Sequence, residues 1–300
     1  MNGHLSRQPV RRLPALPVFV AMLALVLTAS GSPLAAQQAP LSADPSSTGD
    51  NDQILDQKSA SSITVPAGFN VTLVASGLSP VAVGGSIYFN SLQDLEFGRG
   101  AFGDYLYFID KGVVYRVAAP GDTPQPFASV PQALAMRFGF DGDLFVSTAA
   151  GKVIRVRPNG TTSLFAQVGS SIEGMAFDTS SAYGSHLYVS EWIDGGYGRV
   201  SRITSNGSVS FFAPQGSVGY ETTGLEFCGS PVRLYVADQS GTIFEVTNNG
   251  STSLLGGVDL DSQIQQGEFL ACSRSQTNFG NYLYVAEQGY RPAGRILRVS

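Results

Sequence analysis

One short motif, Leu-aromatic-aliphatic, recurs five times along this chain and limits the folds it can adopt more than any other feature. The copies begin at Leu106, Leu144, Leu187, Leu234 and Leu283. They lie about 40–50 residues apart, which is the repeat length of architectures that use one small unit several times. Each unit buries its apolar surface against its neighbours, so the chain is expected to form a ring or a stack of similar units.

Every copy lies in the same four-part pattern of strand-like segments. In the fourth unit the segments are 224–227 (GLEF), 234–236 (LYV), 243–246 (IFEV) and 253–258 (SLLGGV). An Asn-Gly pair precedes the fourth segment in three of the units, and this pair is the strongest short hairpin signal because both residues tolerate positive φ. Four antiparallel strands in each unit are typical of a propeller blade. The sequence therefore predicts an all-β fold, a β-propeller with five four-stranded blades.

The fifth unit reaches Ser300 after only three strand-like segments. Its fourth strand is expected from segment 66–76 (PAGFNVTLVAS), whose pattern matches the fourth segments of the other units. Pairing this N-terminal strand with the last blade would leave no open sheet edge. The propeller domain is thus predicted to span 62–300. A solenoid of the same repeats is an alternative, but it would lack capping units.

The pattern LYVADxxGxIxxV of residues 234–246, followed by an Asn-Gly turn, resembles NHL-repeat and SMP-30/gluconolactonase-like propellers. The resemblance covers 62–300 and implies a fold, since such propellers include hydrolases, lyases, oxidoreductases and scaffolds. These families usually have six blades, so a six-bladed ring is the alternative to five. Their lactonases hold a metal through Glu, Asn and Asp side chains at the channel mouth. In this chain acids are present there, but no Asn stands among them.

The first 36 residues have the layout of a signal peptide. A basic segment with three arginines precedes an apolar run at 18–27 and small residues that end at Ala36. The apolar run is about half as long as a membrane span requires, and the layout is that of an export signal. Residues 37–61 are polar and are expected to form a disordered leader. The protein is therefore predicted to be secreted or periplasmic, with no membrane span.

The excess of acidic over basic residues limits which classes of binding partner are expected. The chain has 18 basic and 23 acidic residues, a net charge of −5, and removal of the signal segment makes the charge more negative. An acidic surface argues against nucleic acid and anionic membranes as partners. A small molecule, a sugar or a protein remains as the expected ligand, and the protein is expected to be a monomer.

In a four-stranded meander, the loops between strands 2 and 3 lie on the same face as the connections between blades, and we name this the top face. Ligands of barrels and propellers usually bind at such a mouth. The ligand-binding candidates are Asp94, Glu173, Glu191, Trp192, Asp238, Glu287 and Tyr290. The two aromatic residues beside carboxylates would suit stacking on a sugar ring, although Trp192 is equally suited to packing between blades.

Carboxylates placed around the mouth would bind a hard cation through oxygen atoms. The candidates for a Ca²⁺ or Mg²⁺ site are Glu173, Glu191, Asp238 and Glu287, because these ions prefer oxygen ligands. The alternative is structural, since an acid at a hairpin commonly accepts backbone N–H bonds from its own turn. The sequence indicates no cofactor beyond this candidate cation.

Histidine is scarce in the chain. There are two, of which His4 lies in the signal segment and His186 falls on the face opposite the top. A histidine-based zinc site, a Ser-His-acid triad and a histidine general base at the mouth are therefore disfavoured. Any catalysis would depend on carboxylates or on a metal held by oxygen atoms.

The inner strands carry a second set of charged residues. Acids recur at one position in the first segments of three units, and the second unit has an arginine there: Glu96, Arg137, Glu226 and Glu268. We expect an Arg–Glu network between blades, because buried charges are usually paired. Acid–base groups along the channel are the alternative.

The two cysteines of the chain, Cys228 and Cys272, follow the first segments of neighbouring units. Cysteines of an exported chain usually pair, so we predict a disulfide between blades 4 and 5. Two buried free thiols are the alternative.

These observations favour an exported, non-catalytic propeller that binds a ligand or partner on its top face. A metal-dependent (Ca²⁺ or Mg²⁺) lactonase-like hydrolase or lyase is the first alternative, and a carbohydrate-binding propeller is the second. An enzyme would concentrate polarity in one central site, whereas a lectin built from repeats would have equivalent pockets in every blade. The unequal lengths of the top loops speak against equivalent pockets.

Overall fold

The computed structural model of the protein describes Val74 and residues 92–193, 195–239, 241–255, 267–273, 282–287 and 295–299. Within these ranges the chain forms antiparallel strands and one short 3-10 turn, Gly100–Phe102. The predicted signal segment and leader lie outside the described residues.

The strands form five sheets, and in each sheet strands that are consecutive in sequence pair with one another. Blade 1 contains β1 (Leu92–Phe97), β2 (Leu106–Asp110), β3 (Val113–Val117) and β4 (Gln125–Ser129). Blade 2 contains β5 (Ala133–Phe138), β6 (Leu144–Thr148), β7 (Lys152–Val156) and β8 (Thr162–Gln167). Blade 3 contains β9 (Ser171–Phe177), β10 (Leu187–Ile193), β11 (Tyr197–Ile203) and β12 (Val209–Ala213). Blade 4 contains β13 (Thr222–Cys228), β14 (Arg233–Asp238), β15 (Ile243–Val246) and β16 (Thr252–Leu254). Blade 5 contains β17 (Gly267–Cys272), β18 (Leu283–Glu287) and β19 (Arg295–Val299).

This arrangement confirms the five-bladed β-propeller, and the six-bladed alternative is not needed. The Leu-aromatic-aliphatic motif is the second strand of every blade. The residue at its first position is buried in each of the five copies, because the second strand is covered by neighbouring blades on both faces. The repeat was therefore a direct signal of the core.

The predicted closing strand, 66–76, falls outside the described residues except for Val74. The Val74 carbonyl accepts a 3.0 Å hydrogen bond from the backbone N–H of Gly121, in the turn between β3 and β4, and Val74 is buried against blade 1. In the next blades, the corresponding turn glycines Gly160 and Gly207 approach the carbonyls of Phe127 and Phe165 on the outer strand of the preceding blade. Val74 therefore has the same place beside blade 1 that Phe127 has beside blade 2 and Phe165 has beside blade 3. This agrees with the prediction that an N-terminal strand closes the ring.

Aromatic side chains from the bottom loops fill the gaps between blades. Phe102, between β1 and β2, lies 4.9 Å (ring centroids) from Phe138 of blade 2. Tyr183, between β9 and β10, lies 5.1 Å from Phe227 of blade 4. Such edge-to-face pairs add to the stabilisation that burial of the rings provides.

Polar and covalent links join consecutive blades close to the axis. The Ser147 hydroxyl donates to the Ile172 carbonyl (3.0 Å), and the Ser190 hydroxyl donates in the same way to the Thr223 carbonyl (2.7 Å). Cys228 and Cys272 form a disulfide with a Cα–Cα distance of 5.3 Å, which confirms the predicted pairing. Each of these bonds connects the second or first strand of one blade to the first strand of the next.

The strand register of blade 5 corrects one detail of how the repeat units were matched to one another in the sequence. Cys272 pairs with Leu283 as Phe227 pairs with Leu234 in blade 4, so Ala271 takes the position of Glu226. The prediction that Glu268 belongs to the inner acidic series was wrong by three residues. The reason is that Phe269 was aligned with the phenylalanines that end the other first strands, whereas the cysteine occupies that place.

Candidate functional site

The sequence candidates of the top face do not converge on one point. Asp94, in β1, accepts hydrogen bonds from the Met136 amide (2.8 Å) and from Nη1 of Arg137 (2.7 Å). Its carboxylate therefore joins blade 1 to the first strand of blade 2. The Asp94 side chain is almost fully buried, which suits a structural contact between blades.

Asp238, at the end of β14, binds backbone amides. Its Oδ1 accepts the Thr242 N–H of its own hairpin (2.9 Å), and its Oδ2 accepts the Tyr220 N–H of the connection from blade 3 (3.2 Å). The aspartate holds a turn and an inter-blade connection in place, as the structural alternative anticipated.

Glu191, at the same repeat position in β10, has a different partner. Arg199 of β11 binds it with both Nε (3.1 Å, to Oε1) and Nη2 (2.5 Å, to Oε2). The Ser170 hydroxyl donates to Oε2 at 2.7 Å, and the Ser201 hydroxyl donates to Oε1. The Glu191 carboxylate is fully buried, and its charge is balanced by the guanidinium.

This pair forms the floor of a groove of about 400 Å³ between blades 2 and 3. Val168 and Gly169 of blade 2 line one side, and Val209 and Phe211 line the other. Phe211 is exposed and covers the Arg199 guanidinium, with 4.2 Å from the ring centroid to Cζ. The groove therefore presents a neutralised charge pair under an aromatic ring.

The remaining candidates belong to blade 5. Glu287 is the last residue of β18, but its side chain is outside what the structure describes, and so is all of Tyr290. Among the described residues, no group of three or more His, Cys, Asp or Glu side chains is placed to hold a metal ion. Both Glu191 and Asp238 use their oxygens to bind donors of the protein, so these two do not fit a cation site. The Ca²⁺ or Mg²⁺ hypothesis stays a prediction.

The hairpin of blade 3 has the longest second and third strands among the described blades. β10 and β11 each have seven residues, and the pairs Trp192–Gly198 and Ile193–Tyr197 extend the hairpin beyond the Glu191–Arg199 pair. In blade 1 the corresponding hairpin turns immediately after Asp110, which pairs with Val113. The extra pairs raise aromatic residues above the rest of the face.

Contacts with the connection to blade 4 hold this hairpin. Tyr197 and Tyr220 form an isolated β-bridge, and their rings meet edge to face at 6.3 Å. The Glu221 N–H donates to the Gly196 carbonyl at 2.9 Å. The Tyr220 ring lies over Gly196 so closely that a Cβ there would be 1.8 Å from a ring carbon. Only glycine permits this approach.

Three aromatic side chains stay open to solvent on this hairpin and connection. Trp192 is 43% exposed, Tyr197 53% and Tyr220 44%. We name these three residues the aromatic cluster. Exposed aromatic groups on a rigid support are the kind of surface that proteins use for recognition.

Two acids lie at the foot of the aromatic cluster. Glu173 lies where the pairing of β9 with β10 is irregular, and its Oε1 accepts a 2.7 Å bond from the Ser171 hydroxyl. Burial and, secondarily, the nearby Glu221 carboxylate raise the pKa of Glu173, although the Ser171 bond opposes the shift. Burial also raises the pKa of Glu221, whose backbone is in the left-handed region at φ 54°. Ser171 pairs with Trp192, so Glu173 is close to the cluster.

The channel holds the predicted Arg–Glu network. Nε of Arg137 lies 3.6 Å from Oε1 of Glu96, in addition to the Asp94 contact of the same guanidinium. Burial raises the pKa of Glu96 to about 6, and Arg137 opposes the shift while Asp94 and Glu226 add to it. Buried Arg137 has a raised pKa because the attraction of Asp94, Glu96 and Glu226 exceeds the effect of burial. The inner charges are therefore coupled across three blades.

Two site residues were missed at the level of sequence. Arg199 could have been found, because Gly195-Gly196 marks the turn of a hairpin in which Arg199 faces Glu191. Tyr197 sits in the same hairpin, but its contact with Tyr220 depends on the path of the connection between blades. No local pattern reports that path.

Within the described ranges, the structure has no helix with the length and apolar character needed to cross a bilayer.

No protein-family model matches the chain, and no curated protein matches it. Several solved structures have a similar shape. An oxidoreductase (glucose dehydrogenase) of Thermus thermophilus is 17% identical with a TM-score of 0.52, over 70% of this chain and 83% of that one. A chain of a nidogen/laminin complex is 14% identical with a TM-score of 0.51, over 66% of this chain and 73% of that one. The calcium-binding protein regucalcin of Agrobacterium tumefaciens is 10% identical with a TM-score of 0.50, over 73% of each chain.

Likeness at these identities concerns the fold alone, because propellers of one shape serve unrelated functions. The resemblance drawn from the repeat is thereby confirmed at that level: this chain is a β-propeller of the same general architecture as the regucalcin and SMP-30-like propellers.

Proposed function

We propose that this chain is an exported, non-catalytic β-propeller that binds a ligand through the aromatic cluster on its top face. The observation that carries the proposal is the exposure of Trp192, Tyr197 and Tyr220, of which the two tyrosines are held by a β-bridge and an edge-to-face ring contact. Preorganised side chains lose little conformational entropy when a ligand binds, so they give affinity efficiently.

The contacts of the top-face acids support a binding role over a catalytic one. Glu191 is neutralised by Arg199, Asp238 is bound by two amides, and Asp94 links two blades. A general base or nucleophile needs a lone pair that reaches the substrate. These three acids direct their oxygens into the protein, which gives the lactonase-like alternative no further support.

Export is proposed from the N-terminal layout, with residues 1–36 as the signal and 37–61 as the leader. The Cys228–Cys272 disulfide suits this proposal, because disulfides persist in oxidising compartments. A secreted or periplasmic location would also bring the top face into contact with ligands outside the cytoplasm.

A thermal-shift screen of the mature protein against small metabolites, saccharides and amines tests the binding role. A ligand of the folded state raises the melting temperature by mass action. We expect such a shift to disappear in Tyr220→Leu and to persist in Phe97→Ala, a matched loss of an exposed aromatic ring in blade 1. Ligands that stabilise Tyr220→Leu as much as the parent would place binding elsewhere and contradict the proposal.

A further inference from the structure

The groove between blades 2 and 3 lies below one member of the aromatic cluster. Tyr197, Arg199 and Ser201 alternate along β11 and therefore share one face of the hairpin. Arg199 and Ser201 line the groove. Tyr197 lies two residues further along the same face, a distance of about 7 Å along a strand. A ligand seated in the groove can therefore extend toward the cluster.

The space in the groove is open. A Cβ built at Gly169 would meet no heavy atom within 4 Å beyond its chain neighbours, and on the opposite wall the Phe211 side chain is exposed. The volume is about 400 Å³, near the lower end of the ~300–1,000 Å³ that is typical of small-molecule pockets. The groove therefore matches a small ligand in size.

The groove carries no net charge. Glu191 and Arg199 neutralise each other, and the other residues that line the groove are uncharged. A carboxylate ligand would bring a second negative charge beside buried Glu191, and an ammonium ligand would bring a second positive charge beside Arg199. Either ion would lose hydration that the paired side chains do not replace. The groove therefore favours an uncharged ligand.

The lining offers both a hydrogen-bond donor and an acceptor. Glu191 occupies Nε and Nη2 of Arg199, and no acceptor in the described part of the chain binds Nη1. The Gln167 side-chain nitrogen donates to backbone carbonyls of blade 2 at 2.8–3.1 Å. This arrangement leaves Oε1 of Gln167 to accept a bond. One free donor and one free acceptor match the two polar atoms of an amide group.

We propose that this groove binds a small uncharged amide with an apolar substituent, and the proposal rests on the top-face binding role argued above. The amide oxygen accepts a bond from Nη1 of Arg199, and the amide N–H donates to Oε1 of Gln167. The apolar substituent packs against Val209 and Phe211 and extends toward Tyr197. A saccharide fits less well, because it would place hydroxyl groups against apolar walls that offer them no partner.

Three compounds with the same aromatic ring separate the ligand classes. N-acetylphenylalaninamide is uncharged, N-acetylphenylalanine carries a carboxylate, and phenylalaninamide carries an ammonium group at about pH 6. Isothermal titration calorimetry measures the binding of each compound to the full mature protein. We expect saturable binding of the uncharged amide and about tenfold weaker binding of both charged compounds, because each adds an unpaired charge to a neutral groove.

Matched variants assign the site. Gly169→Leu fills the groove without a clash at Cβ and is expected to abolish binding of the uncharged amide. Phe211→Ala should weaken binding about two- to tenfold, the contribution of one aromatic contact. Leu254→Ala removes the exposed residue at the corresponding position of blade 4 and should leave the affinity unchanged. Tyr220→Leu should weaken binding, because it removes the ring that supports Tyr197.

Two results would overturn the inference: no saturable binding of the uncharged amide, or equal affinity in Gly169→Leu and the parent. Binding of either charged compound as tight as that of the amide would also contradict it. Amide binding that is lost in Gly169→Leu but unchanged in Tyr220→Leu would retain the groove as a site and contradict the role of the aromatic cluster. Failure of amide binding alone leaves that role to the thermal screen.

Discussion

The Arg199 guanidinium binds the buried Glu191 carboxylate with two nitrogen atoms, Nε at 3.1 Å and Nη2 at 2.5 Å. The pair joins two neighbouring strands of one hairpin, and the backbone carbonyl of Glu191 accepts a 3.0 Å bond from the Thr222 hydroxyl of blade 4. The residue that the sequence offered as a metal ligand thus connects the projecting hairpin to the next blade.

Replacement of Glu191 by Gln is expected to destabilise the fold strongly. Loss of one partner leaves the Arg199 charge buried without compensation, which costs about 3 kcal/mol in comparable pairs. Urea unfolding of the parent and Glu191→Gln measures the difference. The matched control is Asp141→Asn, which removes a half-exposed partner of Arg155 and should cost less than about 1 kcal/mol. Equal losses for both variants would contradict the account.

Calcium removal tests the metal hypothesis for Glu173, Glu191, Asp238 and Glu287. Since the described oxygens of Glu191 and Asp238 bind protein donors, we expect the parent, Glu191→Gln and Asp238→Asn each to melt at the same temperature in EDTA and in CaCl₂. Differential scanning calorimetry of the three proteins gives the answer. A stabilisation of the parent by Ca²⁺ that both variants abolish would establish a metal site at these acids.

The channel predicts a dependence of stability on pH. Burial raises the pKa of Glu96 from 4.5 to about 6 in the folded protein, so the folded state binds a proton that the unfolded state has released between these values. Stability contributed by this group is therefore lost as the pH rises through about 6. Asp94 and Glu226 strengthen the effect, whereas Arg137 and Arg99 weaken it.

Glu96→Gln removes that titration. Relative to the parent, the variant is expected to gain about 1–2 kcal/mol between pH 4.5 and pH 7.5, the equivalent of the shift in pKa. Chemical unfolding at a series of pH values checks this, with Glu245→Gln as the control acid. A constant difference between variant and parent across the range would show that Glu96 does not titrate as the geometry requires.

The disulfide is expected to stabilise the last blades. Cys228 and Cys272 are 44 residues apart, and closure of a loop of this length contributes about 4 kcal/mol in the chain-entropy model. The double variant Cys228→Ser/Cys272→Ser should unfold at lower denaturant than the parent, and reduction of the parent with dithiothreitol should produce a similar loss. If reduction leaves the unfolding midpoint unchanged, the bond adds nothing to the fold.

The blades were predictable because their signals are local. Alternating apolar residues and the Asn-Gly turns determine which segments pair as hairpins, and the second strand repeats Leu-aromatic-aliphatic in every unit. The partner of a side chain was not predictable from its repeat position alone. Thr148 and Asp238 each accept the backbone N–H four residues further on, whereas Glu191 at the same repeat position binds the Arg199 guanidinium, because the hairpin of blade 3 is longer. In blade 5 Phe269 was matched to the phenylalanines that end the other first strands, but Cys272 occupies that position.

The most direct test of top-face binding uses the indole N–H of Trp192, which gives a single resonance in a ¹⁵N-labelled protein with one tryptophan. The protein is titrated with any ligand that raises its melting temperature. The account predicts that the Trp192 resonance moves over the concentration range of the thermal shift, and that both responses are lost in Tyr220→Leu. A ligand that stabilises the protein while the Trp192 resonance stays in place would contradict it.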